Sequence, residues 1–369
     1  MGTEEYFACT IGTPKSDIDT PALCLDIEML KNNIDLMARH IQGGKVQLRP
    51  HTKTHKCPII AKMQIDAGAI GVCCAKLGEA EVMAEAGIPG ILIPNQIVSP
   101  RKITRLVNLA AWSDVCVAVD DPQNVENLDK AARAKGIVLP VIIEMDVGMN
   151  RCGVRSIESG LALARDITKR SGLFFKGIMG YEGHCVAHMP VSEREDIAKS
   201  SLAKLIEFSK ALEKEGMPAG IVSGGGTGTY AITPNIEGMT EIQTGSYATM
   251  DAKYYSVGIT EFERALSIVS TVISVPDDDH AVCDMGLKSA TSEFGLPEVK
   301  EPAGWKLAGL SEEHGKLARD GGEKLNPGDT IEFYPSHGCT TINLHDRYFV
   351  FRDGILEAVW PVAGRGRIR

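Results

Sequence analysis

The sequence predicts a TIM-type (β/α)₈ barrel followed by a second domain that is mainly β. Short apolar runs, many of them rich in β-branched residues, alternate with amphipathic helical patterns from residue 46 to residue 244. Eight such runs occur, which is the number of strands in a TIM barrel. Near Asp251 the alternation ends, and strand-like runs then follow one another without long helices between them.

The predicted elements follow one another in a regular order. Before the barrel, a strand at 20–27 leads into an amphipathic helix at 28–41. The barrel strands are predicted at 46–49, 71–74, 90–93, 115–119, 140–146, 174–179, 220–223 and 241–244. Helices between the first seven of them are predicted near 58–67, 77–86, 100–112, 122–135, 157–170 and 192–215. The last connection, 224–240, is short and rich in glycine.

A doubly wound sheet is the alternative fold, because it also alternates strands with helices. Such a sheet usually has fewer strands and carries a glycine-rich turn early in the chain. Here the glycine-rich segment follows the seventh barrel strand. We therefore favour the barrel.

The mainly β region begins near Phe262. It contains the runs ALSIVSTVISV, AVCDMG, DTIEFYPS, DRYFVFRDG and ILEAVWPV. Asp-Gly and Pro-Gly pairs, which favour turns, separate several of these runs. We expect a barrel domain at 20–260 and a β domain at 261–369 that includes part of 1–19.

Composition and charge exclude several classes of function. Hydrophobic residues make up 44% and charged residues 24%, both ordinary for a globular protein. The formal charge of −9 argues against non-specific binding to nucleic acid or to an anionic membrane. No apolar run reaches the roughly 18 residues of a membrane span, and the N-terminus does not resemble a signal peptide. Because the ten cysteines lie mostly in apolar runs, we expect buried, reduced thiols and a cytoplasmic location.

The densest functional motif is RPHTKTHK, which follows the first barrel strand. The chemistry of barrel enzymes gathers at the carboxyl ends of the strands. Lys53 has four cationic or potentially cationic neighbours in the sequence, Arg49, His51, His55 and Lys56. They disfavour its ammonium form, and a neutral amine is what carbonyl chemistry needs. The alternative interpretation is a solvated basic loop.

A second motif, SGGGTGT, follows the seventh barrel strand, and Gly245-Ser246-Tyr247 follows the eighth. Barrel enzymes often bind phosphate in these two loops, and glycines let backbone N–H groups converge on an anion. A flexible loop is the alternative. A reactive lysine combined with a phosphate site fits either a sugar phosphate or pyridoxal 5′-phosphate (PLP).

Other candidates are a metal pair and an anion partner. His337 and Cys339 are predicted to lie on one face of a strand, where both can bind a divalent metal such as zinc. A structural role for this His and Cys is the alternative. Arg151, beside a glycine-rich turn after the fifth barrel strand, is the best partner for a phenolate or another anion.

Taken in order, the motifs resemble one family. RPHTKTHK, DVGMNRCGV, SGGGTGTY, EIQTGSYATMD and PSHGCTTINLHD occur at the spacing of the D-threonine aldolase / 3-hydroxy-D-aspartate aldolase / D-serine dehydratase-like family, and the match covers roughly residues 20–369. The resemblance implies an alanine racemase-type barrel, a fold-type III PLP enzyme, a divalent metal (zinc, manganese or magnesium) and a homodimer.

The resemblance also implies roles for individual residues. Lys53 would form the Schiff base with PLP, Arg151 would face its phenolic oxygen, and Tyr181 would lie in its pocket. His337 and Cys339 would bind the metal, which holds the substrate's β-hydroxyl, and His188 would assist proton transfer. The phosphate and ring would be held by Gly225, Gly226, Thr227, Gly228, Ser246 and Tyr247.

The resemblance favours a lyase that cleaves the Cα–Cβ bond of D-3-hydroxy amino acids, giving glycine and an aldehyde. A dehydratase that converts D-serine or 3-hydroxyaspartate into a 2-keto acid and ammonia is the alternative. His337-x-Cys339 is the metal pattern of the D-serine dehydratase branch, whereas most other motifs resemble the aldolases. A non-catalytic PLP-binding protein and an amino-acid racemase remain as further alternatives.

Overall fold

The computed structural model describes residues 10–369, and the first regular elements are a strand and a helix. Strand β1 (Ala22–Asp26) is almost fully buried, and helix α1 (Ile27–Ile41) follows it directly. Both elements agree with the predicted strand at 20–27 and helix at 28–41. The sheet to which β1 belongs, however, is not the barrel.

Eight short parallel strands form the barrel. They are β2 (Gln47–Leu48), β3 (Val72–Cys73), β4 (Ile91–Ile93), β5 (Val115–Val119), β6 (Leu139–Glu144), β7 (Leu173–Met179), β8 (Ile221–Gly224) and β9 (Glu241–Ile242). Their order in the sheet is β2-β9-β8-β7-β6-β5-β4-β3, and a parallel bridge between His51 and Cys73 joins the two ends. The predicted fold class is therefore confirmed.

Six helices connect the barrel strands, and each lies where the apolar periodicity predicts one. They are α2 (Pro58–Asp66), α3 (Leu77–Glu85), α4 (Pro100–Ala110), α5 (Pro122–Lys135), α6 (Ile157–Thr168) and α7 (Val191–Lys214). The connection from β8 to β9 contains only 3₁₀ turns in place of a helix, as its glycine content indicates. This leaves the glycine-rich segment directly at the carboxyl end of β8.

A buried ion pair lies inside the barrel, between the chain after β2 and the first residue of β9. The Arg49 guanidinium donates to both carboxylate oxygens of Glu241, at 2.9–3.1 Å, and to the carbonyl of Gly90. Gly71 makes room for it, because a Cβ at Gly71 would lie 2.5 Å from Arg49 Nη1. The positive charge of Arg49 is therefore compensated by Glu241, and the interpretation of Arg49 as a cation acting on Lys53 has to be corrected.

The rest of the chain forms a second, mixed sheet of nine strands. After the short helix α8 (Ala252–Ser256) it comprises β10 (Leu266–Asp277), β11 (His280–Cys283), β12 (Glu298–Glu301), β13 (Trp305–Leu310), β14 (Gly315–Arg319), β15 (Thr330–Tyr334), the short helix α9 (Gly338–Ile342), β16 (Arg347–Arg352) and β17 (Ile355–Pro361). The main path runs β13-β14-β11-β10-β1-β16-β17, and β15 pairs with β10 and β12. Strand β1, from the N-terminal part of the chain, thus lies inside this sheet between β10 and β16.

The chain divides into two compact units. We call Met37–Lys53, Pro58–Gly245 and Gly366–Arg369 the barrel unit. The mixed-sheet unit comprises the described part of Met1–Leu36, with Thr54–Cys57 and Ser246–Arg365. These limits differ from the predicted 20–260 and 261–369, because a strand pattern identifies β1 as a strand without identifying the strands that pair with it.

Two expectations concern cysteines and membranes. All nine cysteines among residues 10–369 are free, and seven of them are buried. The expectation of buried, reduced thiols is thus confirmed for this part of the chain. No helix between residues 10 and 369 combines the length and the apolar character that crossing a bilayer requires.

Candidate active site

Lys53 lies at the carboxyl end of the barrel, where it lines a cavity of about 160 Å³. The other walls include His51, Gln96, Glu144 and Arg151, and we call this space the Lys53 cavity. Each of these residues follows or ends a barrel strand, so the parallel sheet brings their side chains to one end. Lys53 is partly buried at this position.

The Tyr181 ring lies beside both cations of the cavity. Lys53 Nζ is 5.9 Å from the ring centroid, and the guanidinium carbon of Arg151 is 5.7 Å from it. Tyr181 follows β7 and Lys53 follows β2, and two strands, β9 and β8, lie between these strands in the sheet order. Lys53, Arg151 and Tyr181, which we predicted to surround the cofactor, are therefore neighbours.

Glu144 is a functional candidate that the sequence analysis missed. It is the last residue of β6, is 4% exposed, and accepts a hydrogen bond from Gln96 Nε2 at 2.6 Å. Arg151 Nη2 lies 3.8 Å from its carboxylate, and burial raises the pKa of Glu144. A carboxylate that ends an otherwise apolar strand at the carboxyl end of a barrel is the signal that could have identified it.

The loop at residues 225–228, which we call the glycine loop, is buried at the end of β8. Gly225 has φ +75°, a conformation that glycine adopts at little cost. A Cβ at Gly226 would lie only 3.2 Å from Tyr181 Cε2, so the backbone approaches the same ring that borders Lys53. An amine, a guanidinium and a glycine loop around one ring suit a ligand that carries an aldehyde, a phenolic oxygen and a phosphate, and so fit PLP.

Ser246 and Tyr247 lie in the mixed-sheet unit. The Tyr247 ring is fully buried and packs on Phe262, with ring centroids 5.6 Å apart. Ser246 Oγ is 3.5 Å from Thr54 Oγ1 and 4.0 Å from Cys339 Sγ. The predicted contacts of both residues with the cofactor stay predictions.

His337 and Cys339 interact, but not through the strand geometry that we expected. His337 occupies the N-cap position of the short helix α9 without a capping hydrogen bond from its side chain, and Cys339 lies in the first turn. The strand prediction is wrong here because the segment turns into a helix after β15. The two side chains still hydrogen-bond each other, and Cys339 Sγ lies 3.1 Å from Thr54 Oγ1.

Asp251 holds His337 in place and is a second residue that the sequence analysis missed. One carboxylate oxygen of Asp251 lies 2.8 Å from His337 Nδ1 and accepts from the Gly338 amide at 2.9 Å. The other oxygen accepts from the Tyr254 amide at the start of α8. Burial alone would lower the pKa of His337. Hydrogen bonds to Asp251 and Cys339 outweigh burial and raise this pKa to about 10.

This donor set fits a divalent metal. An imidazole and a thiol are ligands of zinc and of similar metals. Since Asp251 holds Nδ1, His337 Nε2 is the ring nitrogen that would bind a metal, in place of its hydrogen bond with Cys339. Between residues 10 and 369, no group of three or more His, Cys, Asp or Glu side chains has a metal-binding arrangement. A two-ligand site of this kind would leave coordination positions for water and substrate.

His188 lies away from the walls of the Lys53 cavity. Its side chain is 44% exposed, and Nδ1 lies 3.3 Å from Glu193 Oε1. The neighbouring His184 is the more enclosed histidine, with Nε2 3.3 Å from Ser201 Oγ. The role of His188 in proton transfer stays a prediction.

Two family models match the chain in succession. Residues 25–253 match the model described as "Alanine racemase, N-terminal domain". Residues 265–351 match the one described as "Putative serine dehydratase domain". The boundary between the two matches falls after the last barrel strand and before β10.

Three similar proteins align over nearly the whole chain. A D-threonine aldolase of an Arthrobacter species is 35% identical over 359 residues, covering 96% of this chain and 95% of that protein. A 3-hydroxy-D-aspartate aldolase of Paracoccus denitrificans (strain Pd 1222) is 38% identical, with coverages of 96% and 94%. The crystal structure of D-threonine aldolase from Filomicrobium marinum has a TM-score of 0.94 at 34% identity, with coverages of 98% and 100%.

A dehydratase is similar at lower identity. A variant of D-threo-3-hydroxyaspartate dehydratase, solved in the metal-free form, has a TM-score of 0.87 at 26% identity. The alignment covers 95% of this chain and 98% of that one. Proteins with two different reactions therefore share this architecture.

Proposed function

Because this chain belongs to the D-threonine aldolase and 3-hydroxy-D-aspartate aldolase family, we propose that it cleaves the Cα–Cβ bond of D-3-hydroxy amino acids. The products would be glycine and an aldehyde. The observation that carries the proposal is the grouping of Lys53, Arg151 and the glycine loop around Tyr181. These groups match the aldehyde, the phenolic oxygen and the phosphate of PLP.

When bound, PLP supplies an electron sink for the electron pair that the breaking Cα–Cβ bond releases. The amine of Lys53 would hold the cofactor covalently until an amino acid replaces it. The guanidinium of Arg151 would donate to the phenolic oxygen and keep it anionic. The glycine loop would fix the phosphate, so that the reactive carbon stays at the Lys53 amine.

The proposed reaction also needs a divalent metal. His337 and Cys339 would hold a divalent cation, of the zinc or manganese kind, whose chemistry is to polarise the β-oxygen of the substrate. Asp251 would keep His337 oriented toward it. His188 is our candidate for moving the hydroxyl proton, and His188→Asn should lower the turnover number while leaving the cofactor's absorption unchanged.

Dehydration is the second candidate function, and Cys339 is the observation that favours it. His-x-Cys is the metal pattern of the dehydratase branch, and a dehydratase shares the architecture. In that reaction the β-hydroxyl leaves and the products are a 2-keto acid and ammonia. A thiolate ligand donates more charge to the metal than a carboxylate does, and so alters its strength as a Lewis acid.

The products of two substrates separate the candidates. Protein reconstituted with PLP and zinc or manganese should convert D-threonine into equal amounts of glycine and acetaldehyde, with L-threonine as the control. Pyruvate and ammonia from D-serine, without glycine from D-threonine, would replace the aldolase with the dehydratase. A protein that takes up no PLP would contradict both.

The assembly state is a further part of the proposal. We propose a homodimer that acts on small-molecule substrates, as the resemblance described in the sequence analysis implies. Size-exclusion chromatography with light scattering should give twice the 39.7 kDa mass of the chain. A single-chain mass at micromolar concentration would contradict the dimer without affecting the assignment of the reaction.

A further inference from the structure

Glu182 is a buried carboxylate with no part in the reaction described above. It follows β7 in the chain, is 0% exposed, and lies one residue after Tyr181. Its carboxylate accepts three hydrogen bonds, all from the segment that follows β8. The donors are Gly225 N at 3.2 Å, Thr229 Oγ1 at 2.6 Å and Thr233 Oγ1 at 3.1 Å.

The bond to Thr229 extends to a second glycine. Gly226 N donates to Thr229 Oγ1 at 3.1 Å, and that hydroxyl in turn donates to Glu182 Oε1. Glu182 therefore fixes the amides of both Gly225 and Gly226, one directly and one through a hydroxyl. Gly225 is confined further, because a Cβ there would lie 3.0 Å from Thr233 Oγ1.

Burying the Glu182 carboxylate costs free energy, and this cost suggests that the residue has a specific role. Enclosing a carboxylate is unfavourable by several kcal/mol unless strong donors compensate it. Burial accordingly raises the pKa of Glu182, while the hydrogen bonds from Thr229, Gly225 and Thr233 oppose this rise. A neutral side chain could pack the interior at lower cost, so the carboxylate is best explained by the shape that it imposes on the loop.

We propose that Glu182 is a positioning residue that shapes the glycine loop to receive the phosphate of the cofactor. The proposal rests on the proposed function, since it takes the phosphate of PLP as the ligand of this loop. Glu182 turns the first two glycine amides inward, toward itself. The amides of Gly225 and Gly226, which we predicted to bind the phosphate, are thus already bonded. In the proposal the phosphate contacts come from Thr227 and Gly228, and the glycine loop works as one preformed unit.

The test compares two ligands that differ only in the phosphate. Pyridoxal 5′-phosphate and pyridoxal are titrated separately into cofactor-free protein, and binding is followed by visible absorption. Glu182→Gln replaces one acceptor oxygen by an NH2 donor, so the side chain cannot accept from Gly225 N and from both threonine hydroxyls at once, and the loop loses part of its support. The affinity for pyridoxal 5′-phosphate should fall on the order of tenfold or more, while the affinity for pyridoxal changes less than about twofold.

The controls separate positioning from general damage. Glu79→Gln alters another buried glutamate of the barrel unit, which accepts from the Lys76 amide at 3.2 Å, and it should leave both affinities unchanged. Thr233→Val removes one of the three donors to Glu182 and should weaken pyridoxal 5′-phosphate binding a few-fold, again without affecting pyridoxal. This milder variant carries the test if Glu182→Gln does not fold.

The outcomes are distinguishable. Equal losses for the two ligands, or no loss for either, would overturn the role of Glu182 while the proposed function stands. If the unaltered protein binds neither ligand at Lys53, the proposed function itself fails. A loss confined to the phosphorylated ligand, in Glu182→Gln or Thr233→Val but not in Glu79→Gln, supports the proposal.

Discussion

The barrel unit and the mixed-sheet unit build their candidate sites in different ways. In the barrel, Lys53, Glu144 and Arg151 come from loops and strand ends at one end of a parallel sheet. In the mixed-sheet unit, His337 is held at a helix N-terminus by Asp251, which lies 86 positions earlier in the chain. The first site follows from strand order, and the second depends on one long-range side-chain contact.

The difference explains why the two sites are not equally predictable. A parallel barrel places the residue after each strand at a known end, so a motif and a strand pattern locate it together. In a mixed sheet the strands do not all end on the same side. The position of a site there depends on which loops lie next to one another. We therefore expect substitutions in the barrel to affect cofactor binding, and substitutions around His337 to weaken metal binding without changing cofactor binding.

The largest expected effect comes from Lys53→Ala. Removing the amine should abolish the visible absorption of the PLP-loaded protein and reduce turnover on the order of 10⁴-fold or more. Absorption spectra and D-threonine cleavage measure the two effects. Lys62→Ala, which alters an exposed lysine on α2, should behave as the unaltered protein. If Lys53→Ala keeps the visible absorption, another lysine binds the cofactor and the assignment of Lys53 is wrong.

Much of the barrel could be predicted from the sequence. All eight strands and all six connecting helices lie within about two residues of their predicted positions, because buried strands and amphipathic helices leave a strong apolar pattern. The partners of β1 could not be predicted, since an apolar run does not say which strands it pairs with. The structure pairs β1 with β10 and β16.

The candidate site was predictable where a motif sits at a strand end. Lys53 and Arg151 were found that way, Tyr181 was named through the resemblance, and the structure brings the three together. Asp251 and Glu182 were missed because their roles depend on contacts with residues far away in the chain. A single sequence carries no record of such contacts.

The second prediction concerns the stability of the barrel. Glu241→Gln leaves the Arg49 guanidinium buried without a compensating charge, and should lower the free energy of unfolding by about 3 kcal/mol. Urea unfolding followed by circular dichroism measures it. The double variant Arg49→Met with Glu241→Leu should recover part of the loss, because it removes both charges.

An exposed pair serves as the control for this prediction. Glu126→Gln breaks the surface pair with Lys130 on α5 and should produce no measurable change in unfolding. A similar loss in Glu126→Gln and Glu241→Gln would show that burial of the ion pair is not what stabilises the barrel.

The third prediction tests the contact on which the mixed-sheet site depends. Asp251→Asn loses the carboxylate that accepts from His337 Nδ1, and should weaken zinc binding by about 10- to 100-fold. Competition with a chromophoric chelator measures the affinity, and the absorption of bound PLP should not change. Asp284→Asn alters another carboxylate of this unit, which accepts from Ser270 Oγ at 2.6 Å, and should bind zinc normally. Equal zinc affinities in the unaltered protein, Asp251→Asn and Asp284→Asn would contradict the positioning role of Asp251.

The smallest expected effect is on the acid stability of the mixed sheet, through Glu332 on β15. Burial alone would raise the pKa of Glu332. Hydrogen bonds from Glu301 and Lys15, together with the charge of Lys300, outweigh burial and lower this pKa to about 2. A lowered folded-state pKa gives stability that is present above the ordinary value of 4.5 and is lost as the pH falls toward 2. The raised pKa of Glu301 opposes part of this loss.

Glu332→Gln should therefore remove a pH-dependent contribution rather than a constant one. Between pH 7 and pH 3 the unaltered protein should lose about 1 kcal/mol more unfolding free energy than the variant does. Urea unfolding at a series of pH values measures it, with Glu298→Gln on the exposed strand β12 as the control. Parallel pH curves for the unaltered protein and Glu332→Gln would mean that the acid sensitivity of this unit arises elsewhere. A difference confined to Glu332→Gln would assign the acid sensitivity of the mixed sheet to this carboxylate.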